Sequence, residues 1–201
     1  MPPIPVNLAV EDALSEAVLR RMVAATGRNY AIGFVYGRGG FGYLKKITPG
    51  LNNAAKGTPF ILLTDLDLGN CAPDLLAEWL KVPRHPNFLF RVAVREVEAW
   101  VLADRRGFAK YVSVRQAAVP ESVDDLPDPK EKLLAIAAKS RKRELKIDLL
   151  PRKGSTSKIG PNYNGRLTHY VHTNWDVRVA EQHSPSLARA MRALRTFTPV
   201  W

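Results

Sequence analysis

Apolar and polar positions alternate in blocks along the first hundred residues. Val6 to Val10 is a short apolar run that reads as a buried strand, and Glu11-Asp12 follow it at once. Leu14, Val18, Leu19, Met22 and Val23 then recur at helical spacing on one face, and Gly27 closes that helix. Tyr30 to Tyr36 reads as a second strand. The glycine-rich turn Gly37-Arg38-Gly39-Gly40-Phe41-Gly42 leads into a helix from Tyr43 to Ile47 that Pro49-Gly50 is expected to break. Pro59 to Asp67 is the third strand and Pro73 to Lys81 the third helix. Phe88 to Val94 is the fourth strand, and Arg95-Glu96-Val97-Glu98-Ala99-Trp100 opens a helix through Ala103.

Four strand–helix alternations predict an α/β protein with a mainly parallel, Rossmann-like sheet of about four strands, covered by helices on both faces. In such sheets ligands gather at the carboxyl ends of the strands. Glu11, the Gly37 to Gly42 turn, Asp65, Asp67, Glu96 and Glu98 all follow predicted strands, so they are expected to converge. After Asp104 the pattern changes. Val119 to Pro129 is rich in Pro and Asp and reads as a loop, and Lys130 to Ala138 as a short helix. Residues 151–166 are rich in Gly, Ser and Lys. Ser184 is a good N-cap for a last helix over Leu187 to Phe197, with Pro185 at its first position. The division expected is a core over 1–118 and a basic C-terminal extension over 119–201, packed together as one compact unit. Trp79, Trp100 and Trp175 fall in apolar patterns and read as core.

Composition narrows the partners. The chain has 201 residues, one cysteine (Cys71) and no apolar run long enough for a membrane span. Met1-Pro2-Pro3-Ile4-Pro5 lacks the basic and apolar regions of a signal peptide. The expected home is a reducing cytoplasm. Lys plus Arg total 30 against 19 acids, a net charge of +11, which favours a polyanion and nucleic acid first. The excess is concentrated. Lys139, Arg141, Lys142, Arg143, Lys146, Arg152, Lys153, Lys158 and Arg166 are opposed within their stretch only by Glu144 and Asp148. This segment is the expected track for a nucleic-acid backbone, held largely without base specificity.

The chemistry is expected in Thr64-Asp65-Leu66-Asp67-Leu68, behind the apolar run Phe60-Ile61-Leu62-Leu63. If the strand runs on, Asp65 and Asp67 point the same way. Two parallel carboxylates repel unless a cation lies between them, and carboxylate oxygens are what Mg²⁺ prefers. An acidic, metal-loading site beside a basic track suits phosphodiester chemistry, with Mg²⁺ or Mn²⁺ as the metal. Glu11, Asp65 and Asp67 form one candidate ligand set. Two Mg²⁺ ions need a second core, which Glu96, Glu98, Asp12 or Glu16 complete, with Glu98 favoured over Glu96. Asp12 and Glu16 are four apart and share a helix face.

Taken in order, these motifs resemble the TOPRIM domain of topoisomerases, bacterial primases and OLD-type nucleases. Val10-Glu11 matches that family's acid after the first strand, Asp65-Leu66-Asp67 its DxD, and Glu96 or Glu98 its third acid. More narrowly, the chain is similar to small stand-alone bacterial TOPRIM-like proteins in the order of "VEDALSE", "LLTDLD", "REVEAWVLAD" and the tail from Tyr163-Asn164 to Ser184-Pro185-Ser186. One departure is Asp12, where TOPRIM domains usually carry Gly. The resemblance implies a two-metal nuclease with Glu11, Asp65, Asp67 and Glu98 as ligands. It also implies a lysine steadying phosphate charge, with Lys158 favoured and Lys153 next. Members of the narrower group are often paired with an ABC or OLD-like ATPase in anti-phage defence, so such a partner is expected here, and an oligomer is allowed.

Other readings stay open. A non-catalytic nucleic-acid-binding or partner-docking subunit with a degenerate metal site fits the Asp12 departure. Gly37-x-Gly39-x-x-Gly42 matches a dinucleotide-binding fingerprint, against which stand the expected helix break at Pro49 and the cations Lys45-Lys46. The DxD also resembles phosphatases of the haloacid-dehalogenase type and sugar transferases, although here it follows the third strand. His169 and His172 are three apart on a helix face, with a structural or phosphate-contacting role favoured over metal.

Overall fold

The computed structural model describes residues 2–37, 39–67, 69 and 71–201. Arg38 of the glycine turn and Leu68 behind Asp67 lie outside the described residues. The first half runs β1 (Ile4–Val10), α1 (Ala13–Ala25), β2 (Tyr30–Gly37), α2 (Gly40–Ala54), β3 (Phe60–Asp65), α3 (Ala72–Trp79), β4 (Phe88–Ala93) and α4 (Val97–Ala103). The four strands form one all-parallel sheet in the order β2-β1-β3-β4. The fold is therefore α/β and Rossmann-like. β3 is buried along its apolar residues because it lies inside the sheet, with both faces covered.

Strand alternation assigns the two faces. Val6, Leu8, Val10, Ile61, Leu63, Leu89 and Ala93 belong to one apolar cluster with α1. Ala9, Phe60, Leu62, Phe88 and Phe90 belong to a second cluster with α2 and α3. α1 starts where the Asp12 carboxylate accepts from Ser15 N–H (2.8 Å), and Gly27 follows its end at φ 72°.

Pro49 does not break α2. The helix runs through Pro49-Gly50 to Ala54, with Leu44, Thr48, Leu51 and Asn52 on the buried side. Thr48 Oγ1 donates to the Leu44 carbonyl at 2.8 Å. Packing of that face outweighs an interior proline's cost of about 3 kcal/mol.

The second half continues with α5 (Arg105–Val112), α6 (Pro129–Ala137), α7 (Arg143–Leu149), α8 (Tyr163–Thr173), α9 (Val177–His183) and α10 (Pro185–Thr196). α5, α7 and α9 are short and carry few periodic apolar residues, which hid them in the sequence. α8 starts inside the stretch 151–166 that is rich in Gly, Ser and Lys. These helices complete the core on the α1 side: Tyr163, Leu167, Tyr170, Trp175, Met191 and Leu194 share one cluster with Val18, Leu19 and Trp100. Trp79, Trp100 and Trp175 are buried. Ser184 caps α10, with Leu187 N–H donating to its hydroxyl at 3.2 Å.

Buried polar contacts fix the two halves. Asp104 accepts from Gly107 N–H (3.0 Å), Asp176 N–H (3.0 Å) and the Tyr170 hydroxyl (3.1 Å). Asp124 accepts from the Ser184 hydroxyl (2.6 Å) and Ser186 N–H (2.7 Å), and Trp100 Nε1 donates to Ser186 Oγ (2.7 Å). The Ser184-Pro185-Ser186 motif is thus a structural latch. Among the described residues no helix is long and apolar enough to cross a membrane.

Candidate acidic site at the strand ends

The chain leaves β1 for β2 on one side and reaches β3 on the other, so the strand order reverses between β1 and β3. The crevice at such a point is where α/β sheets place ligands. Glu11 and Asp65 stand at the carboxyl ends of these two strands. Glu11 Oε1 accepts from Asp65 N–H (2.9 Å) and from the Thr64 hydroxyl. Asp65 Oδ1 accepts from Val97 N–H (2.9 Å) at the start of α4, which brings the β4 end into the site.

Glu98, in the first turn of α4, is 2 % exposed. Its Oε1 accepts from the Tyr163 hydroxyl (2.9 Å) and lies 3.5 Å from Lys130 Nζ. Its Oε2 is buried without a hydrogen-bond partner. Glu96 is engaged by Lys130 through both the backbone N–H (2.8 Å) and Nζ (2.9 Å). Of the two glutamates, Glu98 is the one with a vacant oxygen.

Asp67 departs from the strand expectation. β3 ends at Asp65, and Asp67 has φ 48° and is exposed. Its N–H donates to the carbonyl of Arg95, itself at φ 64°, and Arg95 Nη1 donates back to the Asp67 carbonyl (3.0 Å). This paired left-handed turn ends the alternation, so Asp65 turns inward and Asp67 outward. Two non-glycine residues at positive φ on adjacent strand ends are stored strain of a kind that clusters at functional sites.

The electrostatics show one unit. Burial raises Asp65 well above the usual carboxylate range, and the charges of Glu98, Glu11, Asp67 and Asp12 raise it further. Burial likewise raises Glu11, with Thr64 and Asp65 N–H opposing. Burial pushes Glu98 up to about 7, although Lys130 pulls it down. Asp67 is raised by burial and by Glu96. Burial lowers Lys130, but Glu98 and Glu96 outweigh this and its ammonium is held firmly charged. One lysine therefore stands among five carboxylates.

Lys130 is the residue that spacing does not reveal. It lies 34 positions beyond Glu96 in an ordinary helix start, and the fold alone brings it in. Tyr163 carried a signal, since it heads the Tyr163-Asn164 motif.

The remaining candidates lie apart from this cluster or at its margin. Asp12 serves as the cap of α1. Glu16 pairs with Arg20 Nε at 2.9 Å, one turn along α1. Lys153 and Lys158 are exposed between α7 and α8, in the segment leading to Tyr163. Gly37 to Gly42 follows β2, an edge strand, and not the central crevice. There Gly37 at φ 135° faces Val10, whose carbonyl oxygen a Cβ would meet at 1.8 Å. Gly40 N–H donates to the Glu11 carbonyl (3.1 Å), so the turn braces the site through its backbone. Lys45 pairs with Glu78.

On the basic stretch, Lys139, Arg141, Arg143, Arg152, Lys153 and Lys158 are exposed, and Lys146 is half-buried. Lys142 Nζ donates to the Tyr111 carbonyl (2.8 Å), and Arg166 pairs with Asp148 (2.5 Å), so these two are committed within the fold. A cleft of about 420 Å³ is lined by Arg115, Lys139 and Arg141, and another of about 480 Å³ by Lys142, Arg143, Arg166 and His169. His172 is exposed on the same helix as His169. α6 carries Lys130 at one end and Lys139 just past the other, about 14 Å away at helical rise.

A divalent cation fits the donor chemistry, since all candidate ligands are carboxylate oxygens and Glu98 Oε2 has no partner. Among the described residues, however, no group of three or more His, Cys, Asp or Glu is arranged to hold an ion. Mg²⁺ commonly takes one or two carboxylates and keeps waters, so a cation here would be largely hydrated. No protein-family model, curated protein or solved structure matches the chain.

Proposed function

We propose that the protein is a Mg²⁺-dependent nuclease that cuts phosphodiesters at the β1/β3 crevice. The observation that carries this reading is the buried Glu98 carboxylate with a vacant oxygen, whose charge bears on Asp65 together with those of Glu11 and Asp67. Glu98 and Asp65 would hold a largely hydrated cation, with Glu11 beside them and Asp67 at the exposed margin acting through its waters, and the cation supplies charge neutralisation and an activated water when bound. Tyr163 and Val97 N–H orient Glu98 and Asp65. Lys130 offsets part of the negative charge and offers an ammonium to a phosphate oxygen. The exposed cations from Lys139 to Lys158 would hold the rest of the backbone, and Lys158 lies in the segment that enters the site at Tyr163. The likeness of the ordered motifs to TOPRIM-like proteins supports the same reading, and with it an ATPase partner in the cytoplasm.

A second reading has one observation in its favour. Lys130 already acts as a built-in counter-ion to Glu96 and Glu98, as a site without metal would need. In that case the chain binds nucleic acid without cutting it.

The deciding assay incubates plasmid DNA, single-stranded DNA and a structured RNA with Mg²⁺ or Mn²⁺, comparing wild type with the Asp65→Ala/Asp67→Ala variant. Cleavage that needs metal and vanishes in the variant supports the nuclease. Cleavage by the variant at the wild-type rate refutes the site, and binding without cleavage supports the second reading.

A further inference from the structure

The free edge of the sheet carries a second set of polar groups, and those left open are donors. β4 is an edge strand. In its ladder with β3, Phe60 N–H reaches the Asn87 carbonyl and Leu66 N–H the Ala93 carbonyl. Odd-numbered residues of β4 therefore face β3, while Phe88, Phe90 and Val92 turn their backbone groups outward. The outward carbonyls of Phe88 and Phe90 are taken by Arg84 Nη1 (2.8 Å) and Arg91 Nε (2.6 Å). Phe88 N–H donates to the His85 carbonyl (2.9 Å). Among the described residues the N–H groups of Phe90 and Val92 have no hydrogen-bond partner.

A cleft of about 280 Å³ opens at this edge, between the start of α3 and the side of α10. Arg91 lines it from the strand and Arg189 from the helix, beside Phe90, Val92 and Ser186. Arg91 is partly buried; burial and the guanidiniums of Arg84 and Arg189 all disfavour its charge, and no carboxylate offsets them. The ion pairs among the described residues include none of these three arginines. Asp124 meets Ser186 in the lining, but its two oxygens are committed to Ser184 Oγ and Ser186 N–H.

Cations on an edge strand deter pairing with other chains, and Arg84 and Arg91 serve that end by covering carbonyls. That role does not account for Arg189, which comes from another element. We propose that the cleft binds a phosphoryl group, held by the forks of Arg91 and Arg189 and by the outward N–H groups of Phe90 and Val92. Guanidinium forks match phosphate oxygens two at a time, and the ionised oxygens of a phosphoryl group accept from such donors and from backbone N–H groups. An added peptide strand is disfavoured, because it needs acceptors that the arginines already occupy. The phosphoryl group comes from a small phosphate ester or from a nucleic-acid backbone.

Calorimetric titration in EDTA tests this independently of the acidic site. The probes are inorganic phosphate, a nucleoside monophosphate and a short single-stranded oligonucleotide without terminal phosphate. The proteins are wild type, Arg189→Gln, Arg91→Lys and, as a control on an exposed cation elsewhere, Lys56→Gln. Arg189 is exposed on α10, so its replacement leaves the fold intact, and circular dichroism checks this. Saturable binding of phosphate and the monophosphate is expected, tenfold or more weaker in Arg189→Gln, weaker in Arg91→Lys and unchanged in Lys56→Gln. Binding of the oligonucleotide alone, with the same loss in Arg189→Gln, supports the site and identifies the backbone as its source. No binding of any probe, or binding equal in wild type and Arg189→Gln, overturns the proposal.

Discussion

Replacing Glu98 by Gln should stabilise the protein, and by an amount that depends on pH. Gln keeps the side chain's shape and leaves an oxygen for the Tyr163 hydroxyl, while Lys130 keeps Glu96. The carboxyl of Glu98 moves from an ordinary 4.5 to about 7, chiefly through burial, with Glu96 adding repulsion and Lys130 and Tyr163 opposing. An acid raised in this way favours the folded state while it is protonated. That contribution is complete below pH 4.5 and is lost as pH rises through 7. At roughly 1.4 kcal/mol per tenfold change, the interval amounts to about 3 kcal/mol. In EDTA the variant should therefore match wild type near pH 5 and exceed it by about 3 kcal/mol at pH 8. For a chain of this size that is a rise of roughly 6–12 °C in Tm. Relief of Asp65, which Glu98 also repels, acts in the same direction. Adding Mg²⁺ at pH 8 should raise the Tm of wild type and leave the variant unmoved. Thermal melts from pH 5 to 9 measure both effects. A variant that melts at or below wild type at pH 8, or a difference that does not grow with pH, refutes the argument from burial.

Other outcomes follow from the same contacts. Mg²⁺ affinity, read by calorimetry, should strengthen as pH rises through about 7, because the cation needs Glu98 ionised. Reversing Lys139, Arg141 and Arg143 to Glu should flatten the salt dependence of duplex-DNA binding by a slope of roughly three, measured by fluorescence anisotropy across a salt series. Asp104→Ala should lower stability by roughly 3 kcal/mol or more in urea melts, since it strands Gly107 N–H, Asp176 N–H and the Tyr170 hydroxyl. Gly37→Ala should cost more than about 1 kcal/mol in the same assay, because it places a Cβ against the Val10 carbonyl at a φ that Ala avoids.

The sheet was legible in the sequence because its strands are continuous apolar runs. Phe60 to Leu63 can only be buried on both faces, and β1 and β4 follow the same logic. Acids that follow such strands converge by topology alone, so Glu11, Asp65 and Glu98 could be grouped across 88 positions. The failures have local causes. Propensity alone puts a break at Pro49, and the buried face of α2 overrides it. Strand alternation pairs Asp65 with Asp67, but the bonds from Asp67 N–H to the Arg95 carbonyl and from Arg95 Nη1 to the Asp67 carbonyl end β3 two residues early. α7 and α8 lie in polar sequence, α8 with Gly165 in its first turn, and their helicity comes from docking Leu149, Tyr163 and Tyr170 into a core built elsewhere.

Lys130 is out of reach of any sequence spacing, and its placement bears on both readings of the site. A carboxylate cluster that only needed neutralising would place its lysine at the most buried acid. Here Lys130 makes its close contacts to Glu96, nearer the surface, and stays 3.5 Å from Glu98. The deepest carboxylate keeps a vacant oxygen, and Asp65 beside it is protonated more readily than any exposed acid would be. Evolution toward stability alone would replace Glu98 with Gln or an apolar residue, since a buried ionisable group without full pairing is a net cost. A carboxylate in that position is what the proposed cation site would use, since Glu98 Oε2 has no other partner. This is why the stability of Glu98→Gln and the response of wild type to Mg²⁺ must be read together: a gain in stability coupled to a loss of metal response is what a binding site, and not a structural ion cluster, produces.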